Sequence, residues 1–271
     1  MPELPEVETI VRDLRRLITG ATITAVEVMK PDLIGGSGSD DFIRNLLGAR
    51  INGIHRRAKN LVFDLADGFL IVNLGMTGRM LVLSAEDALP SHLGVRFTLG
   101  DRLLLLYQDV RRFGRLERLS AEEWAARDAA MGFEPLSDEF DEGTLYRLTR
   151  ESRVAIKTWL MDQKRVVGVG NIYASEALFR ARINPAREAR RLTRRQVAAL
   201  RSAIRDVLQE AIEFRGTTLL DYRDASGRRG EFAGRLRVYD RAGEPCRICS
   251  TPIRRIVQGG RSTFYCPNCQ R

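Results

Sequence analysis

The C-terminal fold of this chain is decided by residues 246–269, which read CRICSTPIRRIVQGGRSTFYCPNC. Two Cys-x-x-Cys pairs, Cys246 with Cys249 and Cys266 with Cys269, are separated by sixteen residues and use all four cysteines of the chain. This spacing predicts a tetrahedral site in which four thiolates bind one structural zinc ion. The alternative is two disulfides in a secreted protein, and the absence of a visible signal peptide or membrane-spanning run argues against it.

The segment between the two cysteine pairs predicts a β-hairpin. Two short β-rich runs flank Gly259-Gly260, a dipeptide that suits a tight hairpin turn. Residues 235–271 contain eight arginines against two acids, and the whole chain carries a formal net charge of +9. An ordinary solvated face would mix the two signs more evenly. A compact zinc module of this charge therefore indicates a phosphate-bearing partner such as nucleic acid.

The first six residues, MPELPE, indicate chemistry at the opposite end of the chain. Removal of Met1 would leave Pro2 as a free secondary amine flanked by the carboxylates of Glu3 and Glu6. An α-amino group has a pKa of about 7.7–8.0, so an appreciable fraction is neutral and nucleophilic near neutral pH. A proline Schiff base is an iminium ion without an N–H proton, so it stays cationic. The alternative is that these residues only start a helix, because proline suits the first turn and acids suit its positive end.

The hydrophobic periodicity divides the 271 residues into a strand-rich part and a helical part. A helix follows the N-terminus, and strands are predicted near residues 22–28, 60–65, 69–74, 95–99 and 103–107. Helices are predicted near residues 121–131, 142–149, 153–161, 171–181 and 193–214. We therefore predict an α+β protein with an N-terminal β-sandwich and flanking helices over residues 1–120, a helical domain over 121–234 and the zinc-finger β-hairpin over 235–271.

A glycine-rich turn lies between two of the predicted helices. Gly168 and Gly170 would let the backbone approach a ligand closely, and Asn171 stands where a helix N-cap is expected. Free N–H groups at a helix N-terminus bind phosphate. A plain turn between two helices is the alternative for this segment.

Taken together, these stretches resemble the bacterial formamidopyrimidine-DNA glycosylases over essentially the whole chain. The resemblance rests on PELPE at residues 2–6, RRAK at 56–59, LGMTG at 74–78, RRFG at 111–114, AIK at 155–157 and GTTL at 216–219, followed by the zinc finger. Members of that family excise 8-oxoguanine and ring-opened purines and then nick the abasic site. The resemblance also implies a helix-two-turns-helix motif in the helical domain.

The resemblance implies a reaction centre made of the first residues and one lysine. Pro2 would attack C1′ of the damaged nucleotide, and Glu3 would assist opening of the sugar ring. Glu6 would position the reacting groups, with a plain helix-start acid as the alternative. Lys59 corresponds to the active-site lysine, which contacts a phosphate near the lesion.

Three further residues correspond to the group that fills the hole left by a flipped-out lesion. These are Met76, Arg111 and Phe113, and Arg111 would read the opposite cytosine. An enzyme that acts on a base must extrude it, and an apolar wedge with a guanidinium is a sensible filler. Core packing is the alternative for Met76 and Phe113, and simple surface charge is the alternative for Arg111.

Recognition of the base and of the phosphates is also implied by matching positions. Lys157 and the loop around Thr217 to Gly227, which includes Thr218, fall where the family recognises the flipped base. Asn171 and Arg261 match its phosphate clamps, the first on the helix-two-turns-helix and the second on the zinc finger.

The chain departs from the family pattern at three places. Asn73 stands where a phosphate-contacting histidine is usual, and we expect its neutral amide to take over that contact. His92 keeps the first position of a His-x-His pair, whereas Gly94 replaces the second. Val110 replaces the usual proline before Arg111, which should loosen that loop. None of these departures touches Pro2, so they concern affinity and lesion range.

We therefore expect a bifunctional DNA glycosylase and abasic-site lyase that excises oxidised purines through a Pro2 Schiff base and cleaves the strand by β,δ-elimination. Two alternatives stay open, an endonuclease VIII-like glycosylase for oxidised pyrimidines and a non-catalytic zinc-dependent DNA-binding protein. The expected partner is damaged double-stranded DNA, with no membrane association. A monomer in the bacterial cytoplasm, at the nucleoid, is the expected state.

Overall fold

The computed structural model describes residues 2–36, 38–219 and 222–271. The chain forms two compact units. The first unit consists of Met1–Ala129 together with Phe214–Glu231, and the second consists of Ala130–Glu213 together with Phe232–Arg271. The chain thus returns to its first unit after residue 213, whereas the three-part division at residues 120 and 234 stays a prediction.

The first unit contains three helices and two antiparallel sheets among its described residues. The helices are α1 (Leu4–Ile18), α2 (Ser39–Leu46) and α3 (Ala121–Ala129). The strands are β1 (Ile23–Val28), β2 (Gly53–Arg57), β3 (Asn60–Leu65), β4 (Gly68–Asn73), β5 (Arg79–Ser84), β6 (Leu93–Leu99), β7 (Leu103–Gln108) and β8 (Arg115–Leu119). One sheet has the order β1-β6-β7-β5, and the other has the order β2-β3-β4-β8.

The two sheets share one hydrophobic core. Phe97 and Leu105 from the first sheet and Phe63 and Val72 from the second belong to the same buried cluster, as expected for a sandwich. The apolar stripe of α1 joins this cluster through Val7, Ile10, Val11, Leu14 and Ile18. Their spacing of three or four residues puts them on one face of the helix, so burial of that face fixes α1 and the residues at its start.

The second unit contains four helices and the C-terminal hairpin among its described residues. The helices are α4 (Glu142–Arg150), α5 (Ile156–Leu160), α6 (Asn171–Arg180) and α7 (Arg194–Glu213). The hairpin pairs β9 (Arg254–Gln258) with β10 (Arg261–Tyr265). Gly259 and Gly260 have φ of +54° and +71°, the left-handed conformation that a two-residue hairpin turn requires. The predicted zinc-finger hairpin is confirmed.

The α+β class is confirmed, and the predicted strands and helices are present with small shifts of their ends. The helix predicted over residues 153–161 is shorter and spans Ile156–Leu160. Four short elements, α2, β2, β5 and β8, were not predicted from the sequence. Within the described ranges, no helix is both long and apolar enough to cross a membrane.

Candidate functional site

The predicted site residues divide between the two units. The first unit holds Pro2, Glu3, Glu6, Lys59, Asn73, Met76, His92, Arg111, Phe113, Thr217 and Thr218. The second unit holds Lys157, Asn171, Arg261 and the four cysteines.

Two buried carboxylates lie at the start of α1, next to Pro2. Pro2 is buried, and Glu3 and Glu6 are only 3% and 2% exposed. The Glu3 amide donates to Glu6 Oε2 at 2.8 Å, while the Glu3 carboxylate accepts from the Glu6 amide. This capping box satisfies two free amides of the helix start. Glu6 therefore does act as a helix-start acid, and the same bonds fix both acids beside Pro2, whereas Met1 lies outside the described residues.

The other oxygen of Glu6 contacts the segment that returns to the first unit. The Thr217 amide donates to Glu6 Oε1 at 2.7 Å, across 211 positions of sequence. Gly216 precedes it with φ of +81°, and a Cβ atom there would lie 2.8 Å from Glu6 Oε1. Only glycine fits this approach without a shift. The structure thus joins a predicted catalytic acid to the predicted lesion-recognition segment.

The hydroxyl of Thr218 is used inside the protein. It donates to the Tyr222 carbonyl at 3.1 Å and accepts from the Gly230 amide at 2.8 Å. The Tyr222 hydroxyl in turn donates to the Glu6 carbonyl at 3.3 Å. Burial, and then the Glu6 charge, raise the pKa of Tyr222, so its phenol stays protonated. The Thr218 side chain therefore stabilises the conformation of this segment. Residues 220 and 221 of the predicted loop lie outside the described residues.

Lys59 lies in the tight turn between β2 and β3, after Ala58 with φ of +56°. Arg56 holds this turn. Its guanidinium donates to the Ala58 carbonyl at 3.0 Å and, through Nε, to Glu8 Oε2 at 3.2 Å. Because Glu8 belongs to α1, the helix that begins beside Pro2 also fixes the turn that carries Lys59.

Two adjoining loops present the predicted wedge. Met76 is 38% exposed and Phe113 is 58% exposed, which argues against core packing for either residue. The Arg111 guanidinium lies 4.7 Å from the centroid of the Phe113 ring, within cation–π range. The loops touch at Gly75, where a Cβ atom would lie 2.6 Å from the Gly114 nitrogen. The three wedge residues are therefore carried by loops that support each other.

Asp109, which the sequence analysis missed, organises both wedge loops. It is only 3% exposed, and its Oδ1 accepts from the Thr77 hydroxyl at 2.6 Å and the Arg111 amide at 3.2 Å. Its Oδ2 accepts from the Gly114 amide at 2.9 Å and the Tyr107 hydroxyl at 3.3 Å. One buried carboxylate thus holds the backbone on both sides of the predicted wedge.

The amide of Asn73 is engaged in a turn. Its Nδ2 donates to Asn60 Oδ1 at 2.9 Å, and its Oδ1 accepts from the Gly75 amide at 3.0 Å. These bonds favour a turn role for Asn73 over the expected phosphate contact, which stays a prediction. The side chain of His92 is exposed, and its carbonyl accepts from the Asp109 amide at 3.2 Å. His92 is therefore the better placed of the two for a phosphate.

In the second unit, Lys157 and Asn171 contact each other. Lys157 is fully buried, and its ammonium donates to Asn171 Oδ1. The Asn171 amide also donates to the Tyr239 hydroxyl at 3.5 Å. The N-cap of α6 is Gly170, so the expectation that Asn171 occupies this position was wrong. The Asn171 side chain is instead turned to Lys157 and Tyr239, which explains why it does not cap its own helix.

A second buried carboxylate that the sequence analysis missed connects α6 to the segment before the zinc finger. Glu176 is fully buried, and it accepts from the amides of Arg237, Val238 and Tyr239 at 2.9–3.0 Å. Burial raises the pKa of Glu176 despite these donors. Loss of this acceptor would remove a shared acceptor from three neighbouring amides.

The four cysteines form a cluster that fits one zinc ion. All four sulfurs lie within 4.8 Å of one another, with Sγ–Sγ distances such as 3.9 Å between Cys246 and Cys269 and 3.4 Å between Cys249 and Cys266. Tetrahedral Zn–S bonds of about 2.3 Å require S–S separations of about 3.8 Å. The Cys269 amide also points at Cys266 Sγ, at 3.4 Å. Arg261 begins β10, directly after the hairpin turn, and is exposed.

The four thiols of the cluster do not ionise equally easily. Hydrogen bonds from Thr251 lower the pKa of the Cys249 thiol to about 5, whereas burial raises the pKa values of Cys266 and Cys269. One thiolate opposes the ionisation of its neighbours, and a divalent cation removes this opposition. Four thiolates leave no open position on zinc, so the site is structural.

Three sequence-family models match parts of the chain. Residues 1–116 match the formamidopyrimidine-DNA glycosylase N-terminal domain, residues 131–222 match the formamidopyrimidine-DNA glycosylase H2TH domain, and residues 243–271 match the zinc finger found in FPG and IleRS. The formamidopyrimidine-DNA glycosylases of Aromatoleum aromaticum and Thioalkalivibrio sulfidiphilus are each 45% identical to this chain. In both cases the match covers 100% of each chain.

Solved structures from Lactococcus lactis are similar over the same length. The complex of its Fpg with DNA that contains an abasic site has a TM-score of 0.93 and 34% identity, covering 99% of each chain. The complex of wild-type Fpg (MutM) with DNA that contains N7-benzyl-Fapy-dG has a TM-score of 0.93 and 34% identity, covering 100% of each chain.

Proposed function

This chain belongs to the formamidopyrimidine-DNA glycosylase family, and we propose that Pro2 is its nucleophile. The protein is a base-excision repair enzyme for oxidised purines in double-stranded DNA, with DNA glycosylase and abasic-site lyase activity. The observation that carries the assignment of Pro2 is the pair of buried, reciprocally hydrogen-bonded carboxylates that lies directly beside it.

In the proposed reaction, the free amine of Pro2 attacks C1′ and the damaged base leaves. The buried Glu3 carboxylate assists opening of the sugar ring by proton transfer, and the resulting iminium ion withdraws electrons from the sugar. Loss of the 3′ and then the 5′ phosphate by β,δ-elimination follows, and water releases Pro2. Proton transfer by a positioned carboxylate contributes about 10²- to 10⁴-fold to such reactions. Glu6 has a supporting part, because both of its oxygens accept backbone amides.

The other predicted residues of the first unit serve DNA contact in this proposal. Lys59 neutralises a phosphate beside the lesion, and its turn is fixed through Arg56. Met76, Arg111 and Phe113 fill the space of the extruded nucleotide, with Arg111 reading the opposite cytosine. Their exposure, and the support that they receive from Asp109, favour this role.

The second unit supplies further contacts in this proposal. Asn171, at the start of α6, and Arg261, at the tip of the hairpin, each bind a phosphate, and Lys157 contributes to recognition of the flipped base. Zinc, bound by the four cysteines, supplies no chemistry and holds the hairpin that carries Arg261. We further propose that the protein acts as a monomer in the bacterial cytoplasm, where it associates with the nucleoid through its DNA substrate.

Borohydride trapping tests the nucleophile. The purified protein is incubated with a duplex that contains 8-oxoguanine opposite cytosine, reduced during turnover and digested. Mass spectrometry should place the sugar remnant on Pro2 of a protein that lacks Met1. A remnant on Lys59 would refute the assignment. A parallel duplex with an oxidised pyrimidine, if cleaved much faster, would favour the endonuclease VIII-like alternative, and no adduct with either duplex would favour the non-catalytic one.

A further inference from the structure

An ion-pair network joins α1 to the segment that carries Thr217 and Thr218. Arg215 stands just before this segment, and its Nε donates to Asp224 Oδ2 at 2.9 Å. A second nitrogen of the same guanidinium contacts both Asp224 Oδ2 and Asp13 Oδ2. Asp13 belongs to α1 and is 8% exposed, whereas Asp224 is 1% exposed. The planar fork of one arginine therefore bridges two nearly buried carboxylates that are far apart in sequence.

Asp224 also shapes the far end of the segment. Its Oδ1 accepts from the amides of Ser226 at 3.0 Å and Arg228 at 2.9 Å, and its carbonyl accepts from the Gly227 amide at 2.9 Å. The carboxylate thus uses one oxygen for a local turn and the other for Arg215. Asp224 therefore connects the local turn directly to the ion-pair network with Arg215.

The turn is docked on the sheet of the first unit. The carbonyl of Ala225 accepts from the Val82 amide on β5 at 3.3 Å. Ala225 is 1% exposed and belongs to the core cluster, against which Tyr222 packs. The segment is therefore fixed at Thr217 by Glu6, at Arg215 by Asp13 and at Ala225 by the sheet.

We infer that Arg215, together with Asp13 and Asp224, positions the lesion-recognition segment relative to the nucleophile. The inference rests on the proposed function, in which Thr217 and Thr218 belong to the base-recognition loop. The helix that starts beside Pro2 also carries Asp13, about two and a half turns after its first residue, so one rigid element sets the position of both. Arg215, Asp13 and Asp224 touch no reacting atom in this scheme and act only through the segment.

This role predicts a separation between the two activities of the enzyme. Excision requires that the base be held while C1′ is attacked, whereas cleavage of a preformed abasic site involves no base. A displaced recognition segment should therefore slow excision and spare strand cleavage. A network that only stabilised the fold would affect both steps together.

The test compares the variants Asp13→Asn and Arg215→Lys with the parent enzyme. Asp13→Asn removes one carboxylate of the network and leaves the turn at Asp224 intact, while Arg215→Lys keeps the charge and loses the fork. Because a misplacement of about 1 Å can cost roughly 100-fold in rate, we expect single-turnover excision of 8-oxoguanine opposite cytosine to fall on the order of 10- to 100-fold. Strand cleavage at a preformed abasic site in the same duplex should change less than about twofold.

Arg228→Gln is the matched control, because Arg228 contacts the same Asp224 at 3.3 Å but its side chain is 63% exposed. Exposed ion pairs contribute little, so this variant should keep the parent excision rate. Thermal unfolding of each variant shows whether it is folded. If Asp13→Asn does not fold, the comparison of excision with strand cleavage is made on Arg215→Lys.

Two results would overturn the inference: equal losses of excision and strand cleavage, or no loss of either. Both differ from a failure of the proposed function, in which the parent enzyme itself would not excise 8-oxoguanine or would not be trapped at Pro2.

Discussion

Replacement of Asp109 by asparagine tests how the wedge loops are held. The carboxylate accepts four hydrogen bonds, two on each oxygen. Asparagine keeps one acceptor oxygen and turns an NH₂ group towards two of the donors. In either orientation, the NH₂ group faces one hydroxyl, from Thr77 or Tyr107, and one backbone amide, from Arg111 or Gly114.

The size of the stability loss in Asp109→Asn depends on which donors can also act as acceptors. A hydroxyl can rotate and accept from the new NH₂ group, whereas a backbone amide cannot. When the NH₂ group replaces Oδ1, the Arg111 amide keeps the Thr77 hydroxyl as an acceptor, so the cost lies in the bonds that lose their charge assistance. We expect Asp109→Asn to lower the free energy of unfolding by about 1–3 kcal/mol, because a hydrogen bond to a charged group contributes about 1.5–3 kcal/mol and a neutral one about 0.5–1.5 kcal/mol.

The same change should impair the wedge. Arg111 and Phe113 would no longer be held on both sides, so excision opposite cytosine should slow, and its ratio to excision opposite adenine should decrease. Urea unfolding measures the first effect, and single-turnover excision from the two duplexes measures the second. Asp32→Asn is the control, because the Asp32 side chain is half exposed and its carboxylate contacts the exposed Arg112 at 3.3 Å. Parent-like stability and an unchanged ratio in Asp109→Asn would refute the reasoning.

Three other predictions concern the metal, the opposite base and the departure at Asn73. Chelation of zinc or Cys249→Ser should abolish DNA binding by unfolding the Arg261 hairpin, and normal binding of lesion DNA by zinc-free protein in a gel-shift titration would contradict this. Arg111→Ala should weaken discrimination for the opposite base more than overall affinity, because base-edge contacts carry specificity and phosphate contacts do not; equal losses in excision and binding assays would argue otherwise. Asn73→His should lose DNA affinity at pH 5.5 and at pH 8 alike, because two neutral turn bonds worth about 0.5–1.5 kcal/mol each are lost, and Asn73→Ala should cost less affinity than Lys59→Ala. A gain for the histidine variant at low pH would restore the phosphate contact predicted from the sequence.

Features that depend on local spacing could be predicted from the sequence. The cysteine pairs and Gly259-Gly260 define the hairpin within 24 residues, and the apolar stripe of α1 repeats every three or four residues. The family resemblance then assigned expected roles to the matching site residues. These predictions needed no knowledge of which distant segments meet.

Each carboxylate that was missed from the sequence has at least one partner that is distant in sequence. Asp109 contacts Thr77 across 32 positions, Glu176 contacts Arg237 across 61, and Asp13 contacts Arg215 across 202. The chain has 35 acidic residues, and nothing in the local sequence separates these few buried ones from the solvated majority. Burial of a charge requires that the fold bring its donors together, so only the structure identifies such residues.

The replacement of the usual proline by Val110 has to be interpreted together with the neighbouring Asp109, which was missed from the sequence. Loss of a proline alone suggests a looser loop, since proline restricts the backbone of the unfolded chain as well. Val110 is 55% exposed and lies directly between Asp109 and Arg111, and the Arg111 amide donates both to Asp109 Oδ1 and to the Thr77 hydroxyl. Side-chain hydrogen bonds therefore restrain the backbone here without the proline ring. Because these bonds all involve one buried carboxylate or its direct partner, the conformation of the wedge in this chain depends on Asp109 more than on the residue type at position 110.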